Sequence, residues 1–114
     1  MATSVIKNIM QITDITLTMN SGFTDTGSVI KKQGNVVCGH ILVQGTFTAN
    51  TNVSVGSVNV NLITSPNNDL WFPLYSSITG ATCGVLRINN AGTVKVLVLT
   101  EQSRVNSTFT FMCQ

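Results

Sequence analysis

Charged side chains are scarce in this 114-residue chain, and their scarcity excludes several classes of function. Only 9% of the residues are charged, and these are six Lys and Arg and four Asp and Glu, whereas about 25% is usual for a soluble protein. The basic residues are scattered, apart from the pair Lys31-Lys32. Because nucleic-acid binding needs many basic side chains on one surface to contact phosphates, we expect no nucleic-acid partner.

Long apolar runs are also missing, although the mean hydropathy is +0.32. No segment approaches the run of about 18 apolar residues that a membrane-spanning helix needs. The N-terminal sequence MATSVIKNIMQITD contains no apolar stretch typical of a signal peptide. We therefore predict neither membrane insertion nor export through a Sec signal.

Cysteine is limited to Cys38, Cys83 and Cys113, which are odd in number and far apart. A disulfide framework or a zinc site would need paired or closely spaced residues. Each cysteine lies in an apolar segment, so we predict three small buried side chains in a protein made in a reducing compartment.

Helical patterns are absent beyond the first dozen residues, and the chain is rich in Val, Ile, Thr and Phe with only two prolines. Such segments, separated by short turn signals, predict an all-β antiparallel fold: a β-sandwich, a jelly roll or a barrel. The candidate strands are Gln11–Met19, Ser28–Lys32, Asn35–Thr48, Asn52–Leu62, Asp69–Tyr75, Ala81–Asn89, Thr93–Thr100 and Arg104–Cys113. The predicted turns between them include Asn20-Ser21-Gly22, Gln33-Gly34-Asn35, Ser65-Pro66-Asn67-Asn68 and Gln102-Ser103.

The segment GVLRINNAGTVKVLVLT, residues 84–100, predicts a β-hairpin in detail. A three-residue loop, Asn90-Ala91-Gly92, with Gly92 in the left-handed conformation sets the register. One face then carries Asn89 opposite Thr93, Ile88 opposite Val94 and Leu86 opposite Val96. The other carries Arg87 opposite Lys95, Val85 opposite Leu97 and Cys83 opposite Leu99.

Both this hairpin and the segment VVCGHILVQGTF, residues 36–47, are apolar on two faces. In residues 36–47, one face holds Val37, Ile41, Val43 and Phe47, and the other holds Val36, Cys38, His40 and Leu42. A strand with one face in water should alternate apolar and polar residues. A loop or the N-terminal segment could cover the second face, but we favour a second copy of the chain, as in obligate oligomers.

Catalytic patterns are not found in the sequence. The four acidic residues do not pair at a suggestive spacing, and no phosphate-binding loop or nucleophile elbow is present. The single histidine, His40, lies in a predicted strand, where we expect a core or interface role. No sequence motif supports a catalytic pair in which His40 is the base and Cys38 or Cys83 the nucleophile. We predict a protein that is not an enzyme and has no cofactor and no metal.

A binding site is easier to propose, because NNDLWFPLY (residues 67–75) holds the only Trp and the only Tyr. Alternation puts Trp71, Pro73 and Tyr75 on one face, where an aromatic surface beside polar groups would suit a sugar. The candidate ligand-binding residues are Asn67, Asn68, Asp69, Trp71, Tyr75, Arg87 and Lys95. Alternatively, Trp71 fills the core or a gap between subunits. Arg87 and Lys95 could grip an anion, but we favour the interpretation that both simply extend into solvent.

Several motifs occur together in a particular order. The chain contains GNVV (residues 34–37), ILVQGTFT, Leu62 and Pro66, WFP (residues 71–73), G-x-L-x-I-x-x-x-G-x-V (residues 84–94) and STFTFMCQ. In this order they resemble the C-terminal head domains of phage tail-fibre and baseplate receptor-binding proteins, over residues 22–114.

The resemblance implies a homotrimeric β-sandwich or jelly-roll head that binds a bacterial surface saccharide, with neither cofactor nor catalysis. It implies a place in the virion, at the tail or fibre tip, after synthesis in the host bacterial cytoplasm. Residues 1–21 would be an N-terminal strand or docking segment. The chain is then either an excised head or a short subunit that docks through Ile6, Ile9, Ile12 and Ile15. The alternatives are a purely structural virion module, for fibre assembly or capsid decoration, and a bacterial carbohydrate-binding module.

Overall fold

The computed structural model describes residues 12–58, 69–89 and 91–112. These residues form ten strands, all paired antiparallel, and no helix. The strands are β1 (Ile12–Asp14), β2 (Leu17–Met19), β3 (Thr24–Asp25), β4 (Val29–Gln33), β5 (Val36–Phe47), β6 (Asn52–Val58), β7 (Leu70–Ser76), β8 (Thr82–Ile88), β9 (Thr93–Val98) and β10 (Gln102–Met112). The predicted all-β class is confirmed.

The strands form one curled sheet whose two ends are joined by the N-terminal segment. Their order is β1-β4-β5-β10-β7-β8-β9-β6-β2, and β3 also pairs with β5. β1 and β2 follow each other in the chain but lie at opposite ends of this order. Between them Ile15 is buried, and its N–H donates to the carbonyl of Ile30 at 2.9 Å. The predicted single strand over residues 11–19 is therefore wrong in this respect, because its two halves pair with different strands.

The core lies on the inner face of the curled sheet. In β5 the buried residues alternate with exposed or half-buried ones, as the predicted division into two faces requires. In β9 the alternation is complete, with Val94, Val96 and Val98 buried. Each such side chain stabilises the fold by roughly 1.5–3 kcal/mol when it leaves water.

The hairpin of β8 and β9 has the predicted register from Val85 to Ile88, but Cys83, predicted on the outer face with Val85, is buried in the core. Arg87 is paired with Lys95 and Ile88 with Val94. Gly92 has a φ of 83°, and the side-chain oxygen of Asn89 accepts hydrogen bonds from the N–H groups of Ala91 and Thr93 at 3.0 and 2.9 Å. Residue 90, in the predicted loop, lies outside the described residues.

The strands β7 and β10 are paired over a short stretch only. Only Val105 with Ser76 and Asn106 with Tyr75 are paired there. Two residues before Tyr75 on β7, Pro73 has no N–H for a ladder bond. Its carbonyl accepts a hydrogen bond of 2.7 Å from the buried hydroxyl of Ser107. Beyond this point the ring of Phe72 stacks on those of Phe109 and Phe111, which are tilted against each other, with centroids 4.8–6.0 Å apart.

Some predicted boundaries are wrong. Gln102-Ser103, predicted as a turn, lies within β10, where the register shifts before Arg104. The chain turns earlier, at residues 99–101. The two-residue strand β3 had no signal in the sequence, since its pairing partner β5 lies far along the chain. The predicted turn at residues 65–68 lies outside the described residues. So do the ends of three predicted strands, at residues 11, 59–62 and 113.

Candidate functional site

Two rows of side chains cross the outer face of β7, β8, β9 and β6. Direct cross-strand pairing defines each row. The polar row consists of Trp71, Arg87, Lys95 and Ser54. The apolar row beside it consists of Pro73, Val85 and Leu97, and it ends at Asn52. The structure thus places an aromatic and two cationic side chains next to one another on adjacent antiparallel strands.

Trp71 stands at the end of the polar row and is 57% exposed. The alternate residues Phe72 and Leu74 point inward, and Leu74 is fully buried. The interpretation that Trp71 fills the core is therefore wrong. The sheet presents the indole to solvent because the inner face of β7 is already occupied.

Arg87 is held against Trp71 and Asp69. Its guanidinium carbon lies 5.3 Å from the centroid of the Trp71 ring, within the range of a cation–π contact. Its Nε lies 2.9 Å from Oδ2 of Asp69. This Nε is shielded from solvent and its N–H is not aligned for a hydrogen bond, so the contact with the carboxylate is an ion pair without a directed bond. The expectation that Arg87 extends freely into solvent is wrong.

Lys95 lies directly opposite Arg87 and is half-buried. Within the described part of the chain it makes no ion pair. On its other side, Ser54 accepts a hydrogen bond of 3.2 Å from Nδ2 of Asn20, which also donates to the Ser54 carbonyl at 3.1 Å. Sequence reasoning missed Ser54 and Asn20, since nothing local in the sequence indicates that β6 pairs with β9.

One predicted site residue, Tyr75, is not part of this cluster. Tyr75 is on the same strand and face as Trp71 but four residues away, about 13 Å along the strand. It is half-buried and pairs with Thr82 and Asn106. Asn67 and Asn68 lie outside the described residues. The structure therefore brings together Asp69, Trp71, Arg87 and Lys95.

The apolar row continues toward the other end of β9. Val85 and Leu97 are half-buried by their neighbours, whereas Leu99 is 65% exposed. Leu99 and the exposed Ile78 border a groove of about 490 Å³ near the turn after β9. Single-chain packing thus covers the second face of the hairpin only in part.

A second outer face is formed by β1, β4, β5 and β10. The row at the end of this face runs through four directly paired residues, Met112, Val36, Gln33 and Ile12. The side chains of its three apolar residues, Met112, Val36 and Ile12, are exposed. We call Met112, Val36 and Ile12 the apolar edge. In the next row, Nζ of Lys31 lies 2.8 Å from Oδ1 of Asp14.

The same face corrects one expectation: Cys38 is exposed on it, so the prediction that this cysteine is buried is wrong. His40 is exposed on the same face and is not in the core, and its interface role stays a prediction. Cys83, by contrast, is buried as predicted, and this burial raises the pKa of its thiol. Cys113 lies outside the described residues.

Among the described residues, no three His, Cys, Asp or Glu side chains come together as a metal site would require. The same residues contain no helix of the length and apolarity that crossing a membrane takes. No protein-family model matches the sequence, and no curated protein is similar enough to count as a relative.

Proposed function

We propose that this chain is a non-catalytic attachment module that binds a saccharide on a host cell surface through the outer face at Trp71. The observation that carries the proposal is the exposed indole, held beside the ion pair of Arg87 and Asp69. Sugar rings combine apolar C–H surfaces with hydroxyl groups. An aromatic surface flanked by charged hydrogen-bonding groups complements both.

The contacts that restrain Arg87 support binding. Trp71 and Arg87 stand on neighbouring strands of an antiparallel sheet, and the ion pair and the ring contact restrict Arg87 before any ligand arrives. A side chain that is already ordered loses less conformational entropy on binding. The neighbouring apolar row offers further contact area for a ligand longer than one sugar.

The resemblance to phage tail-fibre heads gives this proposal its biological setting. In this setting, the curled sheet is a sandwich-like or jelly-roll-like head. Three copies of the chain form a trimer, which lies at the tail or fibre tip of a virion. The exposed apolar edge and Leu99 favour assembly, because apolar surface exposed in one chain is stabilised when a neighbouring copy covers it.

A printed glycan array tests saccharide binding. We expect the wild-type protein to bind a restricted set of glycans and the Trp71→Ala variant to lose the signal. Ile78→Ala is the matched control, since it removes an exposed apolar side chain away from Trp71 and should leave binding unchanged. Binding that survives in Trp71→Ala, or a wild-type protein that binds no glycan, would contradict the proposal.

The second candidate function is a purely structural virion module, and the apolar edge favours it. In this role the exposed residues of β1, β5 and β10 contact other copies and no glycan is bound. Light scattering of wild type and of the Val36→Lys/Met112→Lys variant tests the assembly. An oligomer that lysine substitution dissociates, together with no sugar binding at millimolar concentration, would favour this function. A monomeric wild-type protein would contradict it.

A further inference from the structure

None of the four acidic side chains of this protein forms an ion pair with Lys95. The sequence contains only four acidic residues, and all of them lie in the described part of the structure. Asp69 is paired with Arg87 and Asp14 with Lys31, while Asp25 accepts hydrogen bonds from backbone N–H groups. The fourth, Glu101, follows the far end of β9 and makes no ion pair with Lys95.

The neighbouring residues outside the described part cannot supply a side-chain acid either. Residues 59–68, which precede Asp69, read NVNLITSPNN and contain no Asp or Glu. The polar row therefore carries two cations, Arg87 and Lys95, against the single carboxylate of Asp69.

Two like charges directly opposite each other on adjacent strands destabilise the pair, since their Cβ atoms are only about 4.5–5.5 Å apart. Arg87 and Lys95 are in this relation. An anion bound between them would remove the repulsion and accept charge-assisted hydrogen bonds from both. The planar guanidinium of Arg87 matches a carboxylate especially well.

We infer that the saccharide bound at Trp71 is acidic and that it presents a carboxylate to Arg87 and Lys95. Trp71 is roughly 10 Å from Lys95 across two strand spacings, so an acidic oligosaccharide lying across the strands contacts both. This inference rests on the proposed function, because it names the ligand class of the same site.

An array in which every uronic-acid or sialic-acid glycan is printed beside its carboxyl-reduced form tests the inference. We expect the glycans bound through Trp71 to be acidic, with at least a tenfold weaker signal for their reduced forms. If the Trp71-dependent glycans are neutral, or if both forms bind equally, the inference is wrong and the proposed function stands. If no glycan binds through Trp71, both are wrong.

The acidic glycan with the strongest array signal is then titrated in solution against Lys95→Gln. We expect a three- to tenfold loss of affinity for the acidic form and no change for its reduced form. Lys32→Gln, with the same change in charge on β4, is the matched control and should bind as wild type does. Binding of the acidic form should also weaken between 25 and 250 mM NaCl, because salt screens the charges. Equal affinity of Lys95→Gln and wild type for the acidic form would overturn the assignment of Lys95.

Discussion

The guanidinium carbon of Arg87 lies 5.3 Å from the centroid of the Trp71 ring, and Asp69 holds the same guanidinium from its Nε side. Three residues that no sequence motif connects thus form one contact unit on the outer face. Trp71 is the only tryptophan, so its fluorescence reports on this unit alone.

Arg87→Ala should free the indole of Trp71. We expect stability to fall by about 0.5–1 kcal/mol and the steady-state anisotropy of Trp71 fluorescence to decrease. Arg87→Lys keeps the charge but loses the planar stacking, so it should give an intermediate anisotropy. Ser54→Ala, at the far end of the polar row, should leave the anisotropy unchanged. An Arg87→Ala variant with wild-type anisotropy would show that the contact does not order the indole.

The hydroxyl of Ser107 should contribute to the link between β7 and β10. Ser107→Ala removes the donor to the Pro73 carbonyl, and Pro73 has no N–H with which to strengthen the pairing in another way. We expect a loss of about 1–2 kcal/mol, measured by denaturant unfolding. Ser103→Ala, an exposed position on the same strand, is the matched control and should change stability little.

Gly39 should tolerate no side chain while Phe109 is present. A Cβ at Gly39 would overlap the Phe109 ring, which is buried and stacked on Phe72. We expect Gly39→Ala to destabilise the protein by about 1–3 kcal/mol. In the background Phe109→Ala the same substitution should cost much less, because the overlap is gone. Additive losses in this double-mutant cycle would contradict the packing argument.

Asp25 should make stability fall in acid. Burial raises the pKa of its carboxyl, but hydrogen bonds from the N–H groups of Ser28 and Gly27 outweigh burial and hold the pKa below its ordinary value of 3.8. Because the folded pKa is the lower one, this stabilisation is complete above the unfolded pKa and is lost as the pH falls through the folded pKa.

Urea unfolding between pH 2 and 6 measures this effect. We expect Asp25→Asn, which keeps a side-chain oxygen acceptor, to lose less stability than wild type below about pH 4. Asp25→Ala loses the acceptor and should be less stable than wild type at pH 6 as well. Equal acid dependence in wild type and Asp25→Asn would contradict the assignment.

The described cysteines should differ sharply in reactivity. Cys38 is exposed, whereas Cys83 is buried and has a raised pKa, which keeps its thiol protonated at neutral pH. In a Cys113→Ser background we expect an aromatic disulfide reagent to modify one thiol rapidly and the second only after unfolding. Cys38→Ser in the same background should abolish the rapid phase. A rapid phase that persists would place the reactive thiol at Cys83.

Much of the outer face could be predicted because its geometry is local. The length of the loop before Thr93 determines that Arg87 faces Lys95. Strict alternation of side chains along a strand then places Trp71 on the opposite face from Phe72. Neither step requires knowledge of the rest of the chain.

The pairing of strands that are distant in the sequence could not be predicted in this way. Ser54 reaches the polar row because β6 pairs with β9, and the N-terminal strand is split because its halves join opposite ends of the sheet. Which strands pair with each other depends on the apolar area that the assembled sheet buries. No local pattern in the sequence carries this information.

For this chain, the positions of most strands, the register of the β8–β9 hairpin and the alternation of β5 and β9 follow from residues that are near neighbours in the sequence. Three features arise only once distant strands are assembled. These are the orientation of Arg87 over Trp71, the exposure of Cys38 and His40, and the lack of an ion pair at Lys95 among the described residues. The reason is physical: backbone alternation and turn geometry act over a few residues, whereas burial and charge pairing depend on which distant segments come into contact.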